Sequence, residues 1–213
     1  KTKKEKLANS LAVTEAGGLK RYGHLSTGNY NASTAKLYTD FGMLTADEAI
    51  TSDMEHIFVH LASQNKLPKL NKLLMAPFLL QDAIVETVDK LAQEASQGKA
   101  AKITCKMNSL TDVRIAKALL NAAAMGVKID LIVRGACILP TDTNGEAGNI
   151  RVRSVIGRFL EHTRVFHFSS PSTDQLWLAS ADFMSRNMIR RIELAWPVQD
   201  SYAYAHSCHM WQD

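Results

Sequence analysis

Two rhythms of apolar positions run along the chain. From residue 73 onward, short apolar runs alternate with amphipathic stretches. Leu73–Ala76 reads as a short strand. Gln81–Ser96 carries Ile84, Val85, Val88, Leu91, Ala92 and Ala95 at helical spacing. Ala101–Met107 alternates as a strand, Asp112–Ala124 reads as a second helix, and Val127–Val133 reads as a buried β-branched strand. Gly98 and Gly126 follow the two helices and mark their ends. Val152, Val155, Ile156, Phe159 and Leu160 favour a helix over Val152–Phe159. Arg164–Phe168 and Gln175–Leu178 predict a hairpin, and Ile192–Pro197 a last strand.

The first 70 residues are patterned differently. Residues 1–18 are Lys-rich and end in Gly17-Gly18, as a loop or hairpin leading into a strand at Leu19–Gly23. His24–Asn31 is polar and reads as a loop. Asn31 or Ser33 is placed to cap a short helical turn. Ala46–Gln64 has Ile50, Met54, Ile57, Phe58 and Leu61 on one helical face, with Thr45 as its N-cap. Residues 66–72, with Pro68, form a connector. Strands alternating with helices imply an α/β fold. The change of pattern near residue 70 implies two units, 1–70 and 71–213.

Composition narrows the class but not the function. Apolar residues at 46% and charged residues at 22% fit a globular chain with a real core. Nothing approaches the ~20 apolar residues of a membrane span. The net charge of +4 permits an anionic partner. Cys105, Cys137 and Cys208 form no CxxC pair, which speaks against a zinc site or disulfide framework and for a reducing cytoplasm. The chain lacks an initiator Met and begins in a basic stretch, as expected of a piece of something longer.

The candidate chemistry is repeated. His162-x-Arg164 precedes Ser180-x-Asp182 by 18 residues, and Thr27-x-Asn29 ends the corresponding strand of the first unit. This resembles the H-x-K … S-x-N pattern of the phospholipase D-like superfamily, where two half-sites face each other. One histidine of such a site attacks phosphorus and the other moves a proton. The basic residue two positions on shares a strand face with the histidine and neutralises phosphate oxygens. No histidine occurs in residues 1–23, so the first half-site's histidine is not in this chain.

Longer matches identify a family. Tyr22–Asn31, Thr34–Asp40, Lys106–Leu110 with Asp112, Leu131–Gly135, Asn149–Val152, Gly157–Arg164, Ser180–Asn187 and Arg191–Glu193 resemble the bacterial polyphosphate kinases of the larger, multidomain type. The resemblance runs in order from about residue 19 to 198 and departs from the family after Gln199. It implies a phospholipase D-like mixed sheet flanked by helices, with one partial copy and one fuller copy.

The resemblance also implies reversible transfer of the terminal phosphate of ATP to inorganic polyphosphate, with Mg2+ and a phosphohistidine. Its partners would be ATP, ADP and polyphosphate rather than nucleic acid. The longer protein would be a cytoplasmic homo-oligomer with peripheral membrane association. His162 would be the second catalytic histidine, and His24 a supporting one. Tyr38 would stack on adenine, while Arg134 and Arg164 would hold phosphate. The flanking Gly135 would let backbone approach the ligand. Without the first histidine, this chain alone is expected to be inactive. A phosphodiesterase, or a non-catalytic polyanion- or nucleotide-binding module, stays open; Arg164 in place of lysine weighs against the diesterase.

Other histidines fit bland roles. His56 and His60 lie one helical turn apart with no acidic or cysteine partner in view, as on a solvated helix face.

Overall fold

The structure, a computed structural model, describes residues 8–15, 18–140, 148–199 and 204. His206, His209 and Lys4-Glu5-Lys6-Leu7, which resembles the tail of an H-x-K-L run, fall outside the described residues.

The first unit opens with a hairpin. Strand β1 (Ala8–Glu15) pairs antiparallel with β2 (Gly18–Ser26), so the expected strand extends through His24. Two strands had no strong signal: β3 (Tyr38–Thr39) and β4 (Gly42–Thr45), the latter pairing with β2. Both are too short to show a period. Helix α1 (Glu48–Ser63) is capped by Asp47, whose Oδ1 accepts from the Ile50 amide at 2.8 Å. The expected cap, Thr45, lies in β4 and instead accepts from the Asp47 amide. Asp53, fully buried in α1, accepts the backbone amides of Asn71, Lys72 and Leu73 and so pins the connector.

The second unit is a seven-stranded mixed sheet. Its strands are β5 (Leu74–Ala76), β6 (Lys102–Met107), β7 (Lys128–Val133), β8 (Ile150–Arg153), β10 (Val165–Ser170), β11 (Thr173–Ala179) and β12 (Glu193–Pro197), in the order β5-β12-β11-β10-β6-β7-β8. Strands β6, β7 and β8 are parallel neighbours. Helices α2 (Leu80–Ser96) and α3 (Val113–Ala124) cover one face through Ile103, Cys105, Met107, Ile129, Leu131 and Phe166. The mixed sheet flanked by helices follows the alternation read from the sequence. Short α4 (Ser185–Ile189) precedes β12.

The helix expected over Val152–Phe159 does not form. Residues 150–153 are strand β8, with Ile150 turned to the core and Arg151 to the outside, where it forks onto Asp130 of β7 at 2.8 and 2.9 Å. Ile156 is 92% exposed, so the apolar spacing that favoured a helix has no face to bury.

The other sheet face is only partly covered. Leu25, Ile50, Met54 and Ile57 of the first unit pack on Val165, Leu178, Leu194 and Trp196. That layer reaches β10, β11 and β12. Among the described residues, no helix lies over the same face of β6, β7 and β8. No helix among them is long and apolar enough to cross a membrane.

Candidate active site

Beyond that shared core, a short ladder of two residues on each side also joins the two units. Strand β3 runs parallel to β9 (Leu160–Glu161), with Tyr38 opposite Leu160 and Thr39 opposite Glu161. The His162 amide continues the ladder to the Thr39 carbonyl. The next residue on each side is therefore brought together: both Asp40 carboxylate oxygens lie 3.0 Å from His162 Nδ1. Thr27 Oγ1 donates to Asp40 at 2.7 Å. A Cβ on Gly28 would lie 2.2 Å from the Asp40 carboxylate, so the glycine makes room for it.

Arg164 closes the other side of the histidine. It is buried, forks onto Asp182 at 3.2 and 3.1 Å, and donates to the Thr27 carbonyl at 3.0 Å. Its Nη1 lies 3.2 and 3.1 Å from the two ring nitrogens of His162. Near-equal distances to both nitrogens fit a guanidinium lying against the ring face better than a hydrogen bond to either. Asp182 also accepts the Asn108 amide at 2.7 Å, and Asn108 Oδ1 accepts from Arg134 at 3.1 and 3.0 Å.

The sequence-predicted residues divide into two groups. His162 and Arg164 line a cleft of about 270 Å3 with Gly28, Asp182, Arg186, Arg191 and Glu193. Tyr38 and Arg134 do not line it. The Tyr38 ring sits 4.7 Å from that of His162, centroid to centroid. Among the described residues, Arg134 reaches the site through Asn108. Gly135 does not admit a ligand; its missing Cβ accommodates the Asn108 carbonyl, at 2.9 Å from where that atom would be. His24 sits on β2 with Nδ1 2.8 Å from the Tyr30 hydroxyl, whose own pKa burial pushes up to about 12. It is not part of the cleft wall.

Three acids were missed. One is Asp40. Another is Glu161, 2.7 Å from the buried Lys106 ammonium. Lys106 also donates to Thr163, and desolvation draws its pKa down against the pull of Glu161. The third is Glu193, which accepts from Ser180 at 2.6 Å and Asn187 at 2.8 Å. Burial raises its pKa, with Ser180 and Arg164 opposing.

Asp40 and Glu193 occupy equivalent places. Thr27 and Asp40 are 13 positions apart, as are Ser180 and Glu193. Each hydroxyl donates to its acid and accepts the next residue's amide, Phe41 at 3.0 Å and Leu194 at 3.1 Å. Each hydroxyl residue's own amide donates to that residue's carbonyl. Periodicity does not show this; the doubled 13-residue spacing was the signal available in the sequence.

Fold and site together define a class: paired α/β units, each presenting a hydroxyl–carboxylate pair where they meet, with a histidine of one unit held by the acid of the other. The family model described as Polyphosphate kinase C-terminal domain 2 matches residues 73–212, and that described as Polyphosphate kinase C-terminal domain 1 matches residues 4–67. The chain belongs to the polyphosphate kinase family. It is 48% identical over 184 residues to the polyphosphate kinase of Neisseria meningitidis serogroup B, covering 86% of this chain and 27% of that protein. With the Pseudomonas putida polyphosphate kinase it shares 48% over 185 residues, covering 87% of this chain and 25% of that protein. The crystal structure of the Porphyromonas gingivalis polyphosphate kinase superposes with a TM-score of 0.86 at 32% identity, over 95% of this chain and 32% of that one. The chain thus spans about a quarter of the length of the curated relatives it matches.

Proposed function

We propose that this chain supplies half of the active site of a polyphosphate kinase, which passes the terminal phosphate of ATP reversibly to inorganic polyphosphate. The observation that carries this reading is His162 held between Asp40 and Arg164 at the edge of an arginine-lined cleft. With Nδ1–H donated to Asp40, Nε2 is the nitrogen free for chemistry. It takes a proton from the attacking oxygen or returns one to the leaving oxygen. Arg164 and its neighbours Arg186 and Arg191 face the charge on the transferring phosphate, the main demand of phosphoryl transfer.

The nucleophilic histidine belongs, in this reading, to a segment outside this sequence. Glu193 with Ser180 repeats the arrangement of Asp40 with Thr27, and so offers the acceptor that would orient it. Tyr38 would stack on the adenine ring and Arg134 would meet a phosphate, both after a change in their present contacts.

Magnesium is implied by the family resemblance, but the residues described here do not fit a resident ion. Among them no group of three or more His, Cys, Asp or Glu could hold one. The carboxylates at the cleft are already engaged: Asp40 by His162, Asp182 by Arg164, Glu193 by Ser180 and Asn187.

Assaying the parent kinase with His162→Gln tests the reading. Transfer from ATP to polyphosphate should fall by ~10²–10⁴-fold, with ATP affinity altered far less. Unchanged transfer overturns the role of His162. Hydrolysis of a phosphodiester without nucleotide favours the diesterase instead.

A further inference from the structure

The open face of β6, β7 and β8 carries a second cluster of charge, away from the His162 cleft. Strand alternation sends Ile103, Cys105, Ile129 and Leu131 to the core side and their neighbours to the other. In register, Lys102 lies opposite Lys128, Thr104 opposite Asp130, Lys106 opposite Ile132, Asp130 opposite Arg151 and Ile132 opposite Arg153. A hollow of about 320 Å3 forms there; among the described residues its wall holds Lys102, Lys106, Arg151 and Arg153 against Asp130 alone. Counting Glu161, which pairs with Lys106, four cations still face two carboxylates.

The cluster is ordered before any ligand arrives. Asp130 accepts both arms of the Arg151 fork and lies 3.8 Å from Arg153 Nη2. One carboxylate thus fixes two guanidinium groups side by side. Arg153 Nε is buried without a hydrogen-bond partner.

We propose that this face is a second seat for a chain of phosphate groups, taking its choice of ligand from the function proposed above. Three features select that ligand. Arg151 and Arg153, two residues apart and so about 7 Å apart along β8, with Lys102 and Lys106 four apart along β6, set a row of like charges that one linear polyanion can bridge. Among the described residues no Trp, Tyr or Phe lines the hollow, so they offer none of the stacking that single-stranded nucleic acid uses. The apolar residues of this face, Ile132, Val165 and Leu176, are already buried, which leaves no dry centre for a protein partner. Lys106 joins the seat to the cleft, since its partners Glu161 and Thr163 flank His162.

Calorimetric titration of the full chain with short-chain polyphosphate tests this, beside oligothymidylate and poly-glutamate matched in charge. Two equivalents of polyphosphate should bind, one displaced by ATP and one not. Lys102→Glu with Arg153→Ser should abolish the ATP-insensitive equivalent; Arg186→Glu should weaken the other. Lys102→Glu alone, at an exposed position, should lower ATP-insensitive affinity at least severalfold and serves if the double variant melts. The absence of any ATP-insensitive equivalent in the unmodified chain, or one that survives in a folded double variant, overturns the second seat. Equal binding of oligothymidylate or poly-glutamate there overturns the phosphate-chain assignment. Failure of ATP to displace any polyphosphate counts against the cleft reading and leaves the second seat standing.

Discussion

Asp40 and His162 stand 122 positions apart, yet the carboxylate of one grips the imidazole Nδ1 of the other through both oxygens at 3.0 Å. The bond crosses between the two units and fixes which nitrogen of His162 carries the proton.

Replacing Asp40 with Asn should release that tautomer. Transfer activity of the parent kinase should fall by up to about 10⁴-fold, the scale for a catalytic histidine that loses the carboxylate setting its tautomer. Imidazole nitrogen NMR should show Nε2 gaining proton occupancy. An unaltered tautomer in the variant would remove Asp40 from the mechanism.

Gly28→Ala reaches the same bond by steric means. The new methyl would overlap the Asp40 carboxylate, and overpacking of this kind costs about 1–3 kcal/mol. Denaturant unfolding reads the cost. The His162 tautomer should shift with it; a stability loss that leaves the tautomer untouched would mean Asp40 relaxes without letting go.

Asp182→Ala should be the most damaging change at the site. It strands the buried Arg164 guanidinium and the Asn108 amide together. Breaking one side of a buried ion pair costs about 3–5 kcal/mol. Arg164→Met combined with Asp182→Leu should recover much of the stability while remaining inactive, and urea unfolding of both variants checks the pair.

Glu193 gives a pH signature. Burial raises its pKa, so the folded protein holds the proton more tightly than the unfolded chain. Its contribution is fully present below the ordinary glutamate value of ~4.3 and is lost as pH rises through the raised folded value. Unfolding measured across that window should show stability declining with pH from this group, and Glu193→Gln should flatten that component. Superimposable profiles would show that the acid titrates normally.

Much of the fold could be read before it was seen, for identifiable reasons. From residue 73 onward, the long core elements α2, α3, β6, β7, β10 and β11 have enough length to show their period. Asp112 caps α3 through the Ile115 amide. The β10–β11 hairpin turns at Pro171-Ser172 within the expected loop. The failures lie where the decisive contact is distant in sequence. Val152 belongs to a strand because β7 lies beside it, and its helical spacing is accidental. Histidine and arginine in His162-x-Arg164 announce themselves by type and spacing. Asp40, Lys106 and Glu193 are ordinary charged residues until folding sets them beside their partners, and Arg134 stops at Asn108 instead of the cleft.

The seam between β3 and β9 pairs only two residues on each side, and just beyond it lies the Asp40–His162 bond. So short a ladder yields at a lower free energy than the sheet it joins. Local opening there would release His162 from Asp40 while the shared core of Leu25, Ile50, Met54 and Ile57 against Val165, Leu178, Leu194 and Trp196 stays packed. Competence is thus set by alignment of the units, so deuterium exchange at His162 and Thr39 should report loss of function well before either unit melts.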